Sequence, residues 1–422
     1  MALKVIEWPA KRFRSPARTG SIMHGYRFWV RPRAVAPPFW AVYRQARSAS
    51  LKLTFVGDVR LIRDPSARQG AEPRSSFERV QPLLGSPGVL SANLECFFTS
   101  DLDNQRGDWK NPKVLRTDPA LCGSLASAGF DVLNLANNHV MDGGAHGLEE
   151  TIQTLELHGL SWMGAGRSFH EAVAPTLLER QGKVIAFLSA GDNSHDYAAS
   201  AGPGVAPMEP FDDLLVRTRQ ASEAADLVVV QLHADLEFSE APAPYRVRLS
   251  RQLIDHGATL VIQHHPHVVQ GVEEYGGGLI AYSLGNFVFN VHGNAYQNGY
   301  PEARYGWILS VDVDAEAEKP RVQGWDMEPV WIAEDHRPEP PGPDRREQVL
   351  VEFRRRCDLL KDMRAIRRSW RRRSWREARY HALMAYYKTR RGHPLAAIGD
   401  LLDLPLHPRN RHWILGFLGL GR

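Results

Sequence analysis

The sequence has few cysteines, and they do not suit a disulfide framework. Cys96, Cys122 and Cys357 are widely spaced and odd in number, whereas disulfide-stabilised domains are short and carry paired cysteines. We therefore expect three buried, reduced thiols. No apolar run approaches the roughly 18 residues of a membrane-spanning helix, and the basic, proline-broken residues 1–15 lack the apolar core of a signal peptide. These absences predict a cytoplasmic protein, or one peripherally associated with a membrane.

Charge is distributed unevenly along the 422 residues, although the net charge is only +4. Residues 1–50 carry ten Lys or Arg against one acidic residue, and residues 337–422 carry 21 against nine. The residues between these ends therefore have a net charge of −17. An acidic centre suits a domain that binds cations, and basic ends suit contact with anionic surfaces or polymers. Basic ends that are solvated, or docked on the acidic centre, would explain the same charges.

The chain divides by composition into four parts. Residues 1–50 are a basic N-terminal arm, 51–336 an α/β domain, 337–343 a Pro-rich linker and 344–422 a basic, mainly helical C-terminal extension. In the central part, short apolar runs alternate with helical patterns, as in a layered α/β domain. The predicted strands are 51–57, 89–94, 131–136, 183–189, 226–232, 258–263, 279–283, 304–314 and 321–333. The predicted helices between them are 119–128, 147–158, 210–224 and 243–256.

Several of these apolar runs end at side chains that can bind a metal ion or lie beside one. The residues concerned are Asp58, Glu95, Asn137-Asn138-His139, His233, His264-His265-Pro266-His267 and Ser283-Leu284-Gly285-Asn286. The carboxyl ends of parallel strands meet at one edge of a sheet, where α/β folds place their chemistry. His265 and His267 also have a good ligand spacing, because alternate imidazoles leaving a strand can reach one ion. The pattern predicts that these groups converge on one metal site.

Some of these residues have an ordinary structural reading as well. Asp58, taken alone, could be a turn residue after a strand. Ser283 and Asn286 could hydrogen-bond a substrate or simply form a turn. Arg60 could grip an anionic substrate next to Asp58, or be a solvated surface residue.

Five segments, in this order, resemble the bacterial capsule-synthesis CapA family. They are Gly57-Asp58-Val59, Asn93-Leu94-Glu95, Ala136-Asn137-Asn138-His139, His265-Pro266-His267-Val268-Val269 and Tyr282-Ser283-Leu284-Gly285-Asn286-Phe287-Val288-Phe289. That family is linked to poly-γ-glutamate capsule production and belongs with the calcineurin-like metallophosphoesterases. The resemblance covers residues 51–333 and neither basic end. It implies a four-layer α/β/β/α sandwich with a dinuclear site along one sheet edge.

The resemblance also implies a role for each residue of the site. The metal ligands would be Asp58 and His267 for one divalent ion, Asn138, His233 and His265 for the other, and Glu95 for both. His139 would act beside the metals as general acid. Arg60 stands where dinuclear phosphoesterases usually have the His of an Asp-x-His motif, so we expect one or two ions of Mn, Fe or Zn. Phosphoester hydrolysis by water activated at the ions is the chemistry that such a site suits.

The sequence therefore predicts a CapA-type metal-dependent hydrolase. Its substrate would be a phosphoester or an anionic polymer in the production of capsule, poly-γ-glutamate or another envelope polymer. The alternative is a non-catalytic polymer-binding protein or a membrane-associated scaffold of a polymer synthase, which the missing Asp-x-His motif and the Arg- and Trp-rich tail favour. The basic ends could also contact an anionic membrane. Nucleic acid is a third possible partner of the basic tail, but no recognised binding motif supports it.

Overall fold

The structure, a computed structural model, describes residues 50–61, 76–85, 88–100, 114–192, 202–291, 299–404 and 408–418. The predicted N-terminal arm lies outside these ranges, except for Ser50. In chain order, the strands are β1 Leu51–Val59, β2 Val89–Leu94, β3 Phe97–Phe98, β4 Arg116–Thr117, β5 Val132–Asn134, β6 Ser161–Met163, β7 Ala165–Gly166, β8 Thr176–Arg180, β9 Lys183–Gly191, β10 Gly204–Val205, β11 Leu227–His233, β12 Leu260–His264, β13 Val272–Tyr275, β14 Gly278–Ala281, β15 Asn286–Val288, β16 Tyr305–Asp314, β17 Arg321–Ile332 and β18 Pro338–Glu339. The α-helices are α1 Gln81–Leu84, α2 Gly123–Ala128, α3 Gly144–Leu157, α4 Phe169–Val173, α5 Phe211–Ala224, α6 Pro244–Asp255, α7 Pro343–Leu360, α8 Met363–Arg390, α9 Pro394–Asp403 and α10 Pro408–Phe417.

The strands form two main sheets. The first has the order β18-β17-β16-β1-β2-β5-β6, with β15 also paired to β1. In it, β1, β2, β5 and β6 are parallel, while β16 to β18 are antiparallel to their neighbours. The second has the order β13-β14-β12-β11-β9-β8, and its four central strands are parallel. Each sheet therefore has a central parallel region whose strands end at the same edge.

The two sheets pack face to face, and helices cover the outer face of each. The apolar core between the sheets joins Leu53 and Phe55 of the first sheet to Phe187, Val229 and Ile262 of the second. Helices α2 and α3 cover the first sheet, where their apolar residues join one outer core. Helices α5 and α6 cover the second sheet in the same way. This layering confirms the predicted four-layer α/β/β/α sandwich.

The local sequence explains why these elements form where they do. Every residue of β11 is buried, as expected for a parallel strand with both faces covered, which reads as a continuous apolar run. The helical stretch predicted at 119–128 begins at Asp118, whose side chain accepts a hydrogen bond from the backbone nitrogen of Ala120. It ends at Gly129, which has φ +90°, a left-handed conformation that glycine adopts without strain.

The C-terminal extension is helical, as predicted, and it packs on the sandwich. Val349 and Phe353 of α7 join the core between the sheets, and Ile366 and Trp370 of α8 join the core outside the second sheet. Residues 338–339, which the sequence places in a Pro-rich linker, form β18 and pair with β17. Within the described ranges, no helix is both long enough and apolar enough to cross a bilayer.

Candidate metal centre

Acidic residues from the first sheet and imidazoles from the second meet at the carboxyl ends of the parallel strands. Asp58 lies near the end of β1, and Glu95 directly follows β2. His233 is the last residue of β11, while His265 and His267 follow β12. All five side chains are buried. The structure thus brings together residues that are up to 209 positions apart in the sequence.

The position of Asp58 depends on a close approach between two backbone segments. A Cβ atom at Gly57 would overlap the carbonyl oxygen of Gly285, and the backbone nitrogen of Asp58 donates a 2.9 Å hydrogen bond to that oxygen. Asp58 is then paired in register with Asn286 of β15. Glycine at position 57 therefore lets the turn before β15 pack directly against the strand that carries Asp58.

One carboxylate oxygen of Glu95 is surrounded by imidazoles. Its Oε1 atom lies 3.5 Å from Nε2 of His267, 3.8 Å from Nε2 of His233 and 3.9 Å from Nε2 of His139. These rings come from the loop after β12, the end of β11 and the loop after β5. Glu95 is consequently the central anion of the cluster.

A second group of ligand atoms converges on Nε2 of His233. This nitrogen lies 2.8 Å from Oδ1 of Asn138 and 3.0 Å from Nδ1 of His265. Two imidazole nitrogens and an amide oxygen therefore point at one another from the loop after β5, the end of β11 and the loop after β12. Sequence-predicted ligands Asn138, His233 and His265 thus form one side of the centre.

His267 lies between the two carboxylates on the other side. Its Nδ1 atom is 2.9 Å from Oδ1 of Asn286 and 3.2 Å from Oδ2 of Asp58. The amide nitrogen of Asn286 donates to the carbonyl oxygens of His267 and Ala303. Asn286 therefore uses both ends of its amide to fix the ring and the backbone of His267.

The backbone of the histidine segment is strained. His265 has φ +95° and His267 has φ +55°, in a region that non-glycine residues seldom adopt, although Asn, Asp and His do so more often than the others. Asp235 and Phe238, in the loop after β11, also have positive φ values. Such strain persists only where the surrounding structure fixes it, and it clusters at functional sites.

The donor set fits a divalent metal. Glu95, His265 and His267 offer ligand atoms within 4.8 Å of one another, and so do Asp58, Glu95 and His233. Among the described residues, no donor makes a well-oriented hydrogen bond to Oδ2 of Asp58 or Oε1 of Glu95, although ring nitrogens of His267 lie 3.2 Å and 3.5 Å from these two oxygens. Because a buried anionic oxygen without a partner is costly, these two atoms are suited to a cation. Mixed imidazole and carboxylate donors are those of Zn, Mn and Fe sites.

The pKa shifts of the cluster also fit a metal site. Burial would raise the pKa of Asp58, but the imidazoles of His264 and His267 outweigh it and hold the pKa well below its ordinary value. Burial raises the pKa of Glu95 well above its ordinary value. Burial also lowers the pKa of His233 strongly, with the charge of His265 acting in the same direction. A neutral imidazole is the form that binds metal.

His267 behaves in the opposite way to His233. Burial disfavours its protonated form, but the negative charges of Glu95 and Asp58 outweigh burial and raise the pKa of His267 to about 10. Without an ion, a proton on this ring is therefore stabilised by the acidic groups beside it. A metal ion and a proton would compete for it, because metal binding requires the deprotonated ring.

His139 lies at the rim of the cluster and is oriented by a carboxylate. Its Nδ1 atom is 2.8 Å from Oδ2 of Asp142, and its Nε2 atom faces Glu95. The backbone nitrogens of His139 and Val140 both donate to Oδ1 of Asn137, which shapes the turn. The ring is mostly buried but reaches the surface, with 8% of the residue exposed.

The residues predicted to bind substrate occupy different positions. Arg60 is half-buried beside the centre: burial lowers its pKa, and the charges of Asp142 and Glu95 oppose that shift. Its Nε atom has no hydrogen-bond partner in the described part of the chain. The hydroxyl of Ser283 accepts a hydrogen bond from the backbone nitrogen of Gly285, and Asn286 fixes His267. Substrate binding by these three residues stays a prediction.

Several residues of the cluster were not assigned a role from the sequence. Asn93 donates from Nδ2 to Oδ1 of Asp58 at 2.8 Å, and the same atom lies 3.2 Å from Nδ1 of His233. Its period-two spacing from Glu95 is a signal for one face of a strand end. His264, the residue before the predicted ligand His265, has Nδ1 3.4 Å from Oδ1 of Asp58. No sequence pattern predicts the role of Asp142, because its contact with His139 depends on the conformation of the turn between them.

Comparisons with known proteins agree with these motifs. The model of the bacterial capsule synthesis protein family, PGA_cap, matches residues 52–291. The capsule biosynthesis protein CapA of Bacillus anthracis is 34% identical over 273 residues, covering 62% of this chain and 64% of that protein. The PGA biosynthesis protein CapA of Bacillus subtilis is 34% identical over 246 residues, covering 57% and 63%. The matches span less than two thirds of the length of these relatives.

More distant similarities were found as well. A probable polyglutamine synthesis accessory protein of Mycobacterium tuberculosis is 30% identical over 217 residues, covering 49% of this chain and 56% of that protein. Among solved structures, a calcineurin-like phosphoesterase from Bacillus subtilis is similar with a TM-score of 0.40 at 11% identity, covering 74% of this chain and 100% of that chain. A putative 5'-nucleotidase from Staphylococcus aureus is similar with a TM-score of 0.44 at 10% identity, covering 73% and 58%.

Proposed function

This chain belongs to the family of bacterial capsule synthesis proteins, and from that premise we propose that it is a metal-dependent hydrolase. Its substrate is a phosphoester or an anionic polymer formed during the production of capsule, poly-γ-glutamate or another envelope polymer. Two observations support the polymer context: the family match and the names of the relatives in Bacillus. The hydrolytic activity is supported by the side chains of the metal centre.

The single observation that carries the proposal is the pair of buried carboxylate oxygens that face imidazole nitrogens without a well-oriented hydrogen bond. Oδ2 of Asp58 and Oε1 of Glu95 lie among the imidazoles of His233, His265 and His267. A purely structural network would satisfy these oxygens with donors, since buried polar groups in folded proteins are almost always hydrogen-bonded. Two anions of this kind, facing ring nitrogens, are better explained as ligands for one or two divalent ions.

The residues present define how such a centre would be held. Asp58, Glu95, Asn138, His233, His265 and His267 would hold the metal. Asn93 would orient Asp58 and His233, and Asn286 would orient His267. Residues that hydrogen-bond to metal ligands have this role in other metal sites. When bound, a divalent ion supplies Lewis-acid polarisation of a phosphoryl or carbonyl oxygen and lowers the pKa of water.

The protein itself supplies a proton donor and an anion-binding group. His139, held through Nδ1 by Asp142, can present a proton on Nε2 to a leaving-group oxygen, as a general acid. Arg60 lies beside the same carboxylates with its Nε atom free of any described partner. A guanidinium there can receive an anionic oxygen of the substrate. Both groups stand next to Glu95, where the reacting bond would lie.

The proposal is tested by measuring metal content and hydrolysis together. The wild-type protein should contain stoichiometric Mn, Fe or Zn by elemental analysis and should hydrolyse a generic phosphodiester with added Mn²⁺. Asp58→Asn and His265→Ala should lose metal and lower turnover by more than about 100-fold. Mutating a residue that only hydrogen-bonds to a metal ligand already lowers metal affinity or activity by about 10–100-fold. His256→Ala is a matched control, because His256 lies at the end of α6, is only half-buried and is not part of the centre.

Two results would contradict the proposal. One is protein without a divalent metal that cannot be loaded with Mn, Fe or Zn. The other is turnover that is the same in wild type, Asp58→Asn and His256→Ala. Folding of each variant is checked by circular dichroism, so that lost activity is not confused with lost structure. A metal-loaded but inactive wild type would favour a polymer-binding or scaffolding role.

A further inference from the structure

The exposed apolar surface of the protein is concentrated at its C-terminal helices. Of the sixteen large apolar or aromatic residues that are exposed in the described chain, twelve lie between Trp375 and Leu418. Single exposed apolar residues are normal on a soluble protein, but a contiguous group marks an interaction surface. The C-terminal helices therefore carry the exposed apolar surface on which a partner would dock.

Helix α8 exposes an apolar stripe along one side of its second half. Tyr380, Leu383, Met384 and Tyr387 are spaced i, i+3, i+4 and i+7, which places them on one face, and each is 40–51% exposed. The following helix, α9, packs against α8, and its Ala397 is only 2% exposed. α9 exposes Leu395, Ile398 and Leu402 at 82%, 54% and 66%, also on one face.

The first half of α8 is strongly basic, and most of its charges have no ion-pair partner among the described residues. The helix carries ten Lys or Arg and one acidic residue, Glu377. Glu377 pairs with the buried Arg373 at 2.8 Å. Six exposed arginines of α8 have no ion pair with any described residue: Arg364, Arg367, Arg371, Arg372, Arg376 and Arg379. A basic surface thus adjoins the two apolar stripes.

The first half of α8 is anchored to the domain by side-chain hydrogen bonds. Nε of Arg373 donates to the carbonyl oxygen of Glu237 at 2.9 Å, and the hydroxyl of Ser369 donates to Oε1 of Glu240 at 3.0 Å. Glu237 and Glu240 belong to the loop after β11, close to the metal centre, and the charge of Glu237 acts on Glu95. The inner face of α8 therefore holds that loop, while its outer face remains exposed.

We propose that the surface formed by the exposed faces of α8 and α9 docks on an anionic lipid membrane. Arginines near an anionic leaflet gain electrostatic attraction, and leucine and tyrosine side chains gain by entering the boundary between headgroups and acyl chains. The combination distinguishes this partner from others. An anionic polymer would use the arginines but leave the leucines of α9 in water, and a second copy of the chain would bring two arginine-rich faces together.

The test is sedimentation of the full chain with lipid vesicles. Wild type should bind vesicles of phosphatidylcholine mixed with phosphatidylglycerol and should not bind vesicles of phosphatidylcholine alone. An apolar variant, Leu395→Ser/Ile398→Ser/Leu402→Ser, and a basic variant, Arg371→Gln/Arg372→Gln/Arg376→Gln, should each lower the partition coefficient by about tenfold or more. All six side chains are exposed, so the fold should be retained, which circular dichroism checks.

The matched control is Leu157→Ser, which removes a leucine that is 85% exposed at the end of α3 in the opposite outer layer. It should bind vesicles like wild type. Absence of vesicle binding would overturn the proposal, as would an apolar variant that binds like wild type, because charge alone would then explain binding. Wild type that sediments as a dimer, with the apolar variant monomeric and vesicle binding unchanged, would assign the surface to a second copy. None of these readouts depends on hydrolytic activity.

Discussion

Nδ1 of His139 lies 2.8 Å from Oδ2 of Asp142, so the imidazole at the rim of the centre is held by a carboxylate. We expect Asp142→Asn to lower kcat for a phosphodiester by about 10–100-fold, because the ring loses its orientation while Glu95 and the metal ligands remain. His139→Ala removes the proton donor itself and should cost about 10²–10⁴-fold. Steady-state kinetics over a range of pH, with metal content measured on the same samples, checks both.

The outcome that contradicts this assignment is a change in metal content. If Asp142→Asn or His139→Ala loses metal in proportion to activity, these residues support the metal site and not proton transfer. Asp142 also accepts a 2.9 Å hydrogen bond from the backbone nitrogen of Leu115, so a structural contribution is expected in part. Asparagine retains an oxygen for that bond, which makes it a better probe than alanine.

Glu95 should destabilise the metal-free protein at neutral pH. Burial raises its folded-state pKa above the unfolded value, so the folded state favours the protonated form. The corresponding stability is present at low pH and is lost as pH rises through the folded-state pKa. Metal-free Glu95→Gln should therefore melt roughly 2 °C or more above metal-free wild type at neutral pH.

A divalent ion should reverse the order of the two melting temperatures, so that wild type melts above Glu95→Gln. With Mn²⁺ or Zn²⁺ present, wild type should gain stability by mass action, while Glu95→Gln gains little because it lacks the central ligand. Differential scanning calorimetry with and without metal measures both effects. Equal responses of wild type and Glu95→Gln to metal would show that the ion binds elsewhere.

Gly57→Ala tests the contact that positions Asp58. A Cβ atom there would overlap the carbonyl oxygen of Gly285, so the turn before β15 must move. We expect a loss of about 1–3 kcal/mol from overpacking and weaker metal binding, measured by denaturant unfolding and calorimetric titration. Gly324→Ala is the control, because no atom lies within 4 Å of a Cβ at that position of β17. Equal stability of the two variants would contradict the role given to Gly57.

Much of the sandwich could be predicted because its parallel strands are buried on both faces and read as continuous apolar runs. The strand at 89–94 has the predicted bounds, and the strand predicted at 226–232 is shifted by one residue, to Leu227–His233. The ends of these strands carry Glu95 and His233. Parallel strands end at the same edge of a sheet, so the sequence predicts that the candidate ligands from distant segments lie together at that edge. The structure brings their side chains within reach of one another.

Other features depend on contacts that a single sequence does not reveal. The hydrogen bonds of Asn286 to His267 and of Asp142 to His139 join a turn to a ring, and no periodic pattern marks them. The Pro-rich segment looks like a linker, yet Pro338 and Glu339 extend the sheet at its edge, a position where proline is tolerated. The packing of α7 and α8 onto the domain likewise depends on a few apolar residues among many arginines.

The buried side chain of Arg246 connects two loops of the metal centre. Its guanidinium is fully buried and binds Oδ2 of Asp235 at 2.5 Å, Oε1 of Gln263 at 2.5 Å and the carbonyl oxygen of Tyr282 at 2.7 Å. These contacts join the loop after β11 to the end of β12 and to the turn before β15. We expect Arg246→Met to cost about 3–5 kcal/mol, because it leaves the buried carboxylate of Asp235 without its cation.

Denaturant unfolding of the metal-free protein measures this cost directly. The control is Arg219→Met, which breaks an exposed pair with Glu223 and should cost less than about 1 kcal/mol. Replacing Arg246 and Asp235 together, by Met and Leu, should recover part of the loss, since no buried charge remains. If Arg246→Met is as stable as Arg219→Met, the buried pair does not hold the loops. If the double variant is stable but binds metal weakly, the pair serves mainly to position His233 and His265.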